Sequence, residues 1–130
     1  VNVNMNILLV YDDKSMVGQT QKIIGEHNLI LCEYCNLENM TEELIDIVIM
    51  DFDSKRINER RYMPILSVKY RWDSPILAIL EDKSTENHLA ILSMGVLEYL
   101  ERPVTDEDYK EKIEEMIRWK WFLKKQESPE

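Results

Sequence analysis

Glycine is scarce in this chain of 130 residues, which contains only Gly18, Gly25 and Gly95. They are not clustered in the sequence. The phosphate-binding loops of the Rossmann and Walker motifs need several closely spaced glycines, because only glycine lets the backbone approach a phosphate group so tightly. We therefore expect no nucleotide binding of either kind.

Cysteine and histidine are also few, with two of each. Cys32 and Cys35 form a Cys-x-x-Cys pair, but a zinc site needs two more ligands, and neither His27 nor His88 has a matching spacing. A redox pair at a helix start is one alternative, since Asn36 could cap a following helix. The favoured interpretation is two small apolar residues at a strand end in a reducing cytoplasm.

Positive net charge and long apolar runs are missing as well. The formal charge of −9 disfavours nucleic acid or an anionic membrane as the main partner. No apolar run approaches the roughly 20 residues of a membrane span, and no basic segment leads into an apolar one at the start. We expect no secretory signal and a cytoplasmic location. The hydrophobic fraction of 45% is typical of one folded domain.

Short apolar runs alternate with helical patterns along the chain. The runs predict five strands, at residues 6–11, 29–34, 47–50, 76–80 and 96–100. The patterns predict five helices, at residues 15–26, 37–44, 64–71, 84–94 and from 105 onward. This alternation predicts a doubly wound, five-stranded parallel sheet of the flavodoxin-like class, with strand order 2-1-3-4-5 and helices on both faces.

Charged residues lie at three of the predicted strand ends. Asp12 and Asp13 follow the first strand, Asp51 ends the third, and Arg102 follows the fifth. Strands one and three are neighbours in this order, so the three carboxylates should converge, and oxygen ligands of this kind suit Mg²⁺. Arg102 would contact a bound phosphoryl group from the opposite side. Alternatively, Asp51 only caps the turn that follows its strand.

Four segments carry a resemblance to a known family. They are Ile-Leu-Leu-Val-Tyr-Asp-Asp, Asp-Ile-Val-Ile-Met-Asp, Ser-Pro-Ile-Leu-Ala-Ile-Leu and Gly-Val-Leu-Glu-Tyr-Leu-Glu-Arg-Pro, at residues 7–13, 46–51, 74–80 and 95–103. In this order and at this spacing, the chain resembles the receiver domain of two-component response regulators, the CheY-like family. The resemblance covers about residues 5–118.

The resemblance implies a signalling role with defined site residues. Asp51 would accept a phosphoryl group from a histidine kinase or a phosphotransfer protein. Mg²⁺ would be held weakly by Asp12, Asp51 and the backbone carbonyl of Asp53, with Asp13 as a further ligand. Such a domain is not an enzyme, beyond self-catalysed phosphotransfer. Tyr99 would be the aromatic residue whose rotation reports phosphorylation.

Several residues depart from the family pattern at this site. Tyr11 replaces one acid, Leu80 replaces the usual Thr or Ser, and Glu81 stands where a small residue is usual. Arg102 replaces a lysine, and its bond to Pro103 would be cis. Leu80 cannot hydrogen-bond a phosphoryl group, so we expect impaired reporting by Tyr99.

Two functions stay open from these residues. The three aspartates favour a phosphoacceptor switch, and on balance we favour that reading from sequence. Leu80, Glu81 and Arg102 favour a pseudo-receiver, an interaction module that binds its partner without phosphate. A flavodoxin-like enzyme is a third, more distant alternative.

The end of the chain carries more aromatic residues than docking requires. We assign residues 1–118 to the receiver domain and residues 119–130 to an extension of the last helix and a tail. Trp119, Trp121, Phe122 and Leu123 cover more than one helix face. We predict that they contact a partner, either a second copy in a homodimer or a downstream output segment. The alternative is that they fold back on the domain.

Overall fold

A single parallel sheet organises the protein. The computed structural model describes residues 4–42, 44–52, 62–81 and 85–127. Its strands are β1 (Asn6–Tyr11), β2 (Asn28–Glu33), β3 (Ile47–Phe52), β4 (Ile76–Leu80) and β5 (Glu98–Glu101). All pairs are parallel, in the order β2-β1-β3-β4-β5. The predicted sheet and strand order are confirmed.

Four α-helices cover the sheet within the described residues. They are α1 (Val17–Ile24), α2 (Pro64–Trp72), α3 (Thr85–Ser93) and α4 (Asp106–Glu127), and a short 3₁₀ turn (Lys14–Met16) precedes α1. Pro64 occupies the first turn of α2, where its missing N–H costs nothing. In the described part of the chain, no helix is both long and apolar enough to cross a membrane.

The predicted helix at residues 37–44 is wrong. The crossover from β2 to β3 instead contains a 3₁₀ helix at Tyr34–Asn39, after which Met40 is extended. Tyr34 and Leu37 are its two buried residues, and a spacing of three matches the three-residue turn of a 3₁₀ helix. Leu44, which would have ended the predicted helix, is largely exposed. The predicted cap at Asn36 lies inside the 3₁₀ segment.

The core forms one layer on each face of the sheet. Leu8, Val48 and Met50 point to the layer that packs under α2 and α3. Ile47 and Ile49 point to the opposite layer, which contains residues of α1 and α4. Because successive strand residues face opposite sides, the side chain at position 51 lies on the face of α1 and α4. The fold thus fixes where the Asp51 carboxylate can reach.

Candidate functional site

Asp51, which is buried, forms an ion pair with the partly buried Arg102 at the carboxyl edge of the sheet. Asp51 is only 1% exposed, at the end of β3. Arg102 follows β5, and its backbone N–H donates to the carbonyl of Leu80, 2.9 Å away. This bond aims the Arg102 side chain across β4, so its Nη2 donates to Asp51 Oδ1. Two residues 51 positions apart are thereby brought into direct contact.

Glu81 joins the same guanidinium group. Its Oε1 lies 3.5 Å from Arg102 Nη1, and its side chain is more exposed than that of Arg102. One cation is therefore shared between two carboxylates, one buried and one near solvent. Removing the Arg102 charge would take away the cation that contacts the buried Asp51 carboxylate, which is costly inside a protein.

The residues at the end of β1 are placed differently from Asp51. Asp12 is exposed and Asp13 is partly buried. Asp13 Oδ1 accepts a hydrogen bond from the backbone N–H of Ser15, 3.1 Å away, and so caps the 3₁₀ turn at Lys14–Met16. Tyr11 is buried beneath them, and burial, followed by the nearby Glu33 carboxylate, raises the pKa of its phenol. Tyr11 therefore stays neutral and supplies no anionic ligand.

The described residues do not by themselves make a metal site. Within residues 4–42, 44–52, 62–81 and 85–127, no three histidine, cysteine, aspartate or glutamate side chains are grouped so that they could hold an ion. Asp53, whose carbonyl the resemblance adds as a ligand, lies outside these ranges. Mg²⁺ binding stays a prediction.

Leu80 and Tyr99 are packed into the layer under α2 and α3. Leu80 is buried at the end of β4, and Tyr99 packs against the same cluster from β5. The Tyr99 ring stacks on His88 of α3, at 4.4 Å between ring centroids. The Arg102–Pro103 peptide bond is cis. His88 was not among the predicted site residues, and no sequence pattern singles it out.

Tyr109 is a second buried neighbour that the sequence did not indicate as part of the site. Its hydroxyl lies 2.5 Å from Thr20 Oγ1, and Thr20 donates to the carbonyl of Met16 at 2.7 Å. Burial raises the pKa of Tyr109, the bond with Thr20 lowers it, and the Asp51 carboxylate raises it further. Tyr109 thus keeps a neutral hydroxyl within electrostatic range of Asp51 and Arg102.

The described residues also line a separate groove. It has a volume of about 1100 Å³ between the 3₁₀ helix after β2 and α2, and it is lined by residues such as Leu37, Met63 and Tyr70. Neither Asp51 nor Arg102 contributes to its lining. The groove is therefore not part of the site at the strand ends.

Known proteins match this chain by structure, but the comparisons by sequence found no match. No protein-family model matches the chain. No curated protein matches it either.

Many solved structures match, and several are receiver domains. One is a response regulator receiver domain protein from Clostridium thermocellum (TM-score 0.72, 19% identity, covering 92% of this chain and 98% of that one). Another is a CheY-like receiver domain protein from Methanospirillum hungatei (TM-score 0.78, 18% identity, covering 93% of this chain and 99% of that one). A third is the signal receiver domain of a LuxO repressor protein from Vibrio parahaemolyticus (TM-score 0.79, 13% identity, covering 98% of this chain and 100% of that one). The chain therefore has the CheY-like fold of response regulator receiver domains.

Proposed function

We propose that this protein is a pseudo-receiver, a signalling module that acts by binding other proteins without phosphorylation of Asp51. The observation that carries the proposal is the position of Arg102. Its guanidinium group contacts the carboxylates of Asp51 and Glu81 together. Among the described residues, Arg102 is the cation placed to meet a phosphoryl group on Asp51, and two anions already share it.

Electrostatics oppose a phosphoryl group at this position. A phosphorylated aspartate carries about two negative charges, and Glu81 adds another at the same guanidinium. Two like charges about 4 Å apart near a protein surface repel by roughly 4 kcal/mol. A small neutral residue at position 81 would remove this cost.

The relay from the site to Tyr99 also lacks its donor. Leu80 is buried and has no hydroxyl group to bond a phosphoryl oxygen. Phosphorylation shifts a conformational equilibrium only through contacts that differ between the two states. Leu80 provides no such contact, and Tyr99 is stacked on His88. Phosphorylation of Asp51 would therefore shift the position of Tyr99 little.

A phosphoacceptor function is the second candidate. Asp51 lies at the carboxyl end of β3 with a cation donating to it, and the predicted transfer from a histidine kinase or phosphotransfer protein would use that arrangement. Under this candidate, Mg²⁺ would bind at Asp12, Asp51 and the carbonyl of Asp53.

Phosphorylation with a small-molecule donor separates the two candidates. The natural chain is incubated with acetyl phosphate and Mg²⁺, and its intact mass is compared with that of Leu80→Thr/Glu81→Ala/Arg102→Lys. We expect no added phosphoryl group on the natural chain and addition to the repaired variant. Asp51→Asn in the repaired background is the control that identifies the acceptor. Modification of the natural chain at Asp51 would overturn the proposal in favour of the phosphoacceptor.

Titration with Mg²⁺ tests the metal separately. Amide chemical shifts are followed in the natural chain and in Asp12→Asn. Shifts at Asp12 and Asp51 that the Asn variant loses would support a weak site. A pseudo-receiver without metal would show neither.

We also propose that the protein is located in the cytoplasm. Both cysteines are free thiols, Cys32 buried and Cys35 exposed, which fits a reducing compartment such as the cytoplasm.

A further inference from the structure

Helix α4 presents one face to the sheet and another to solvent. Its 22 residues make a rod about 33 Å long, at 1.5 Å per residue. Tyr109, Ile113 and Met116 are buried against the layer formed with α1. The opposite face has no neighbouring element of this chain to cover it among the described residues.

The uncovered face is divided by charge. One exposed stripe follows the helix at steps of three or four residues, the spacing that keeps side chains on one side. It runs through Glu107, Glu111, Glu114, Arg118, Phe122 and Lys125. The first half of this stripe is acidic, and the second half is basic and aromatic. We call the stripe from Glu107 to Glu114 the acidic half, and we call residues 118–125, with all of their side chains, the basic half.

The basic half differs from the rest of the protein. Residues 118–125 contain four of the 16 lysines and arginines and none of the 25 acids. Within this segment Lys125 Nζ lies over the Trp121 ring, 4.6 Å from its centroid. A segment of positive charge thus stands out on a chain of net charge −9.

The aromatic residues of the basic half are only partly packed on their own domain. Trp119 lines a small cavity with Val96 and Leu97, yet it remains 47% exposed. Trp121 and Phe122 are 36% and 50% exposed. Folding back on the domain therefore leaves a large aromatic surface in water, which is a feature of interaction sites.

We propose that α4 pairs antiparallel with α4 of a second copy of this chain. In that arrangement the basic half of each helix lies along the acidic half of its partner. Parallel pairing would set like charges together. A two-fold axis makes the interface self-complementary, so each helix contributes both halves. The proposal does not rest on the state of Asp51.

Charge also decides against an anionic lipid surface as the occupant. Basic residues are attracted to such a surface, but acidic residues are repelled by it. The exposed stripe carries Glu107, Glu111 and Glu114 along the same side as Arg118 and Lys125. A membrane lying along α4 would meet both halves, whereas an antiparallel partner matches each of them.

Charge reversal with mixing tests the pairing. The acidic variant is Arg118→Glu/Lys125→Glu, and the basic variant is Glu111→Lys/Glu114→Lys. Each variant should lose dimer, with affinity at least tenfold weaker than that of the natural chain in sedimentation velocity. Mixed in equal amounts, the two variants should form a heterodimer. Raised salt should weaken the natural dimer, because exposed charges are screened.

Matched controls keep the test decisive. Circular dichroism melts show whether each variant folds, and Lys14→Glu/Lys83→Glu changes the net charge by the same amount as the acidic variant at positions outside α4. A natural chain that stays monomeric would overturn the proposal. So would a dimer that survives both reversals, or two folded variants that remain monomeric when mixed. Co-flotation with vesicles of anionic lipid by the natural chain, lost in the acidic variant and without self-association, would assign the basic half to lipid instead.

Discussion

The imidazole ring of His88 stacks on the phenol ring of Tyr99, with centroids 4.4 Å apart and planes inclined by 28°. His88 Nε2 also lies 3.6 Å from Glu101 Oε1. These two contacts of the buried His88 side chain hold helix α3 against β5. Tyr99 is held by this stack at the position where the resemblance implies a rotating aromatic residue.

Replacement of His88 should release Tyr99. In His88→Ala we expect exchange broadening of the Tyr99 ring signals in NMR spectra, and a loss of about 1 kcal/mol in the free energy of unfolding, typical of one aromatic pair. Leu89→Ala, at an exposed position on the same helix, is the control. Unchanged Tyr99 signals in His88→Ala would show that other contacts fix the ring.

The buried pair of Thr20 and Tyr109 should respond unequally to its two truncations. Thr20 gives its one proton to the Met16 carbonyl, so Tyr109 donates to Thr20. Tyr109→Phe removes a donor and should cost about 1 kcal/mol. Thr20→Val leaves a buried phenol without its acceptor and should cost about 2–3 kcal/mol. Urea unfolding measures both.

The double variant checks this assignment. Thr20→Val/Tyr109→Phe should be destabilised by less than the sum of the single changes, because the unpaired phenol is gone. Strict additivity would contradict the hydrogen bond.

Acid should weaken the contact between α1 and the start of α4. The hydrogen bond from Lys22, and to a smaller extent the one from Gln19, lowers the pKa of Asp106 below the usual value of an aspartate side chain. A lowered folded-state pKa stabilises the protein above the unfolded-state value, and the benefit disappears as the pH falls through the lowered value.

Asp106→Asn measures that benefit. The stability difference between the natural chain and Asp106→Asn should be constant above about pH 5 and should shrink below about pH 4. Asp108→Asn, at another exposed acid in the first turn of α4, is the control. A difference that does not change with pH would show that the Lys22–Asp106 pair contributes nothing to acid stability.

Two glycines should respond oppositely to alanine. Gly95 has a φ of +105°, and an added Cβ would lie 3.2 Å from Lys69 Cε, so Gly95→Ala should destabilise by about 1–2 kcal/mol. Gly18 lies inside α1 with no atom within 4 Å of an added Cβ. Gly18→Ala should therefore stabilise by up to about 1 kcal/mol. Thermal unfolding compares them.

Adding Lys69→Ala separates the two causes at Gly95. Recovery of stability in Gly95→Ala/Lys69→Ala would identify the clash as the cause, and no recovery would identify backbone strain.

The sequence by itself determined the sheet. Buried parallel strands read as continuous apolar runs, such as Ile47–Met50, and the breaks between them leave little choice of topology. It also placed Asp51 and Arg102 at strand ends, because the end of a run is visible in the sequence. The helix expected at 37–44 failed because a few apolar residues do not distinguish a 3₁₀ turn from an α-helix. The structure shows that Tyr34 and Leu37 are both buried, and their spacing of three residues then identifies a 3₁₀ helix.

Contacts between distant residues were decided by the tertiary structure alone. Thr20 and Tyr109 are 89 positions apart, and His88 meets Tyr99 from a different element. In the sequence, each of these side chains is indistinguishable from an ordinary core or helix residue. Their roles arise from the packing of α1 against α4 and of α3 against β5, which sets ring planes and hydroxyl distances that no sequence period encodes. The sharing of Arg102 between Asp51 and Glu81 has the same origin, since the close approach of β3, β4 and β5 puts all three at one edge.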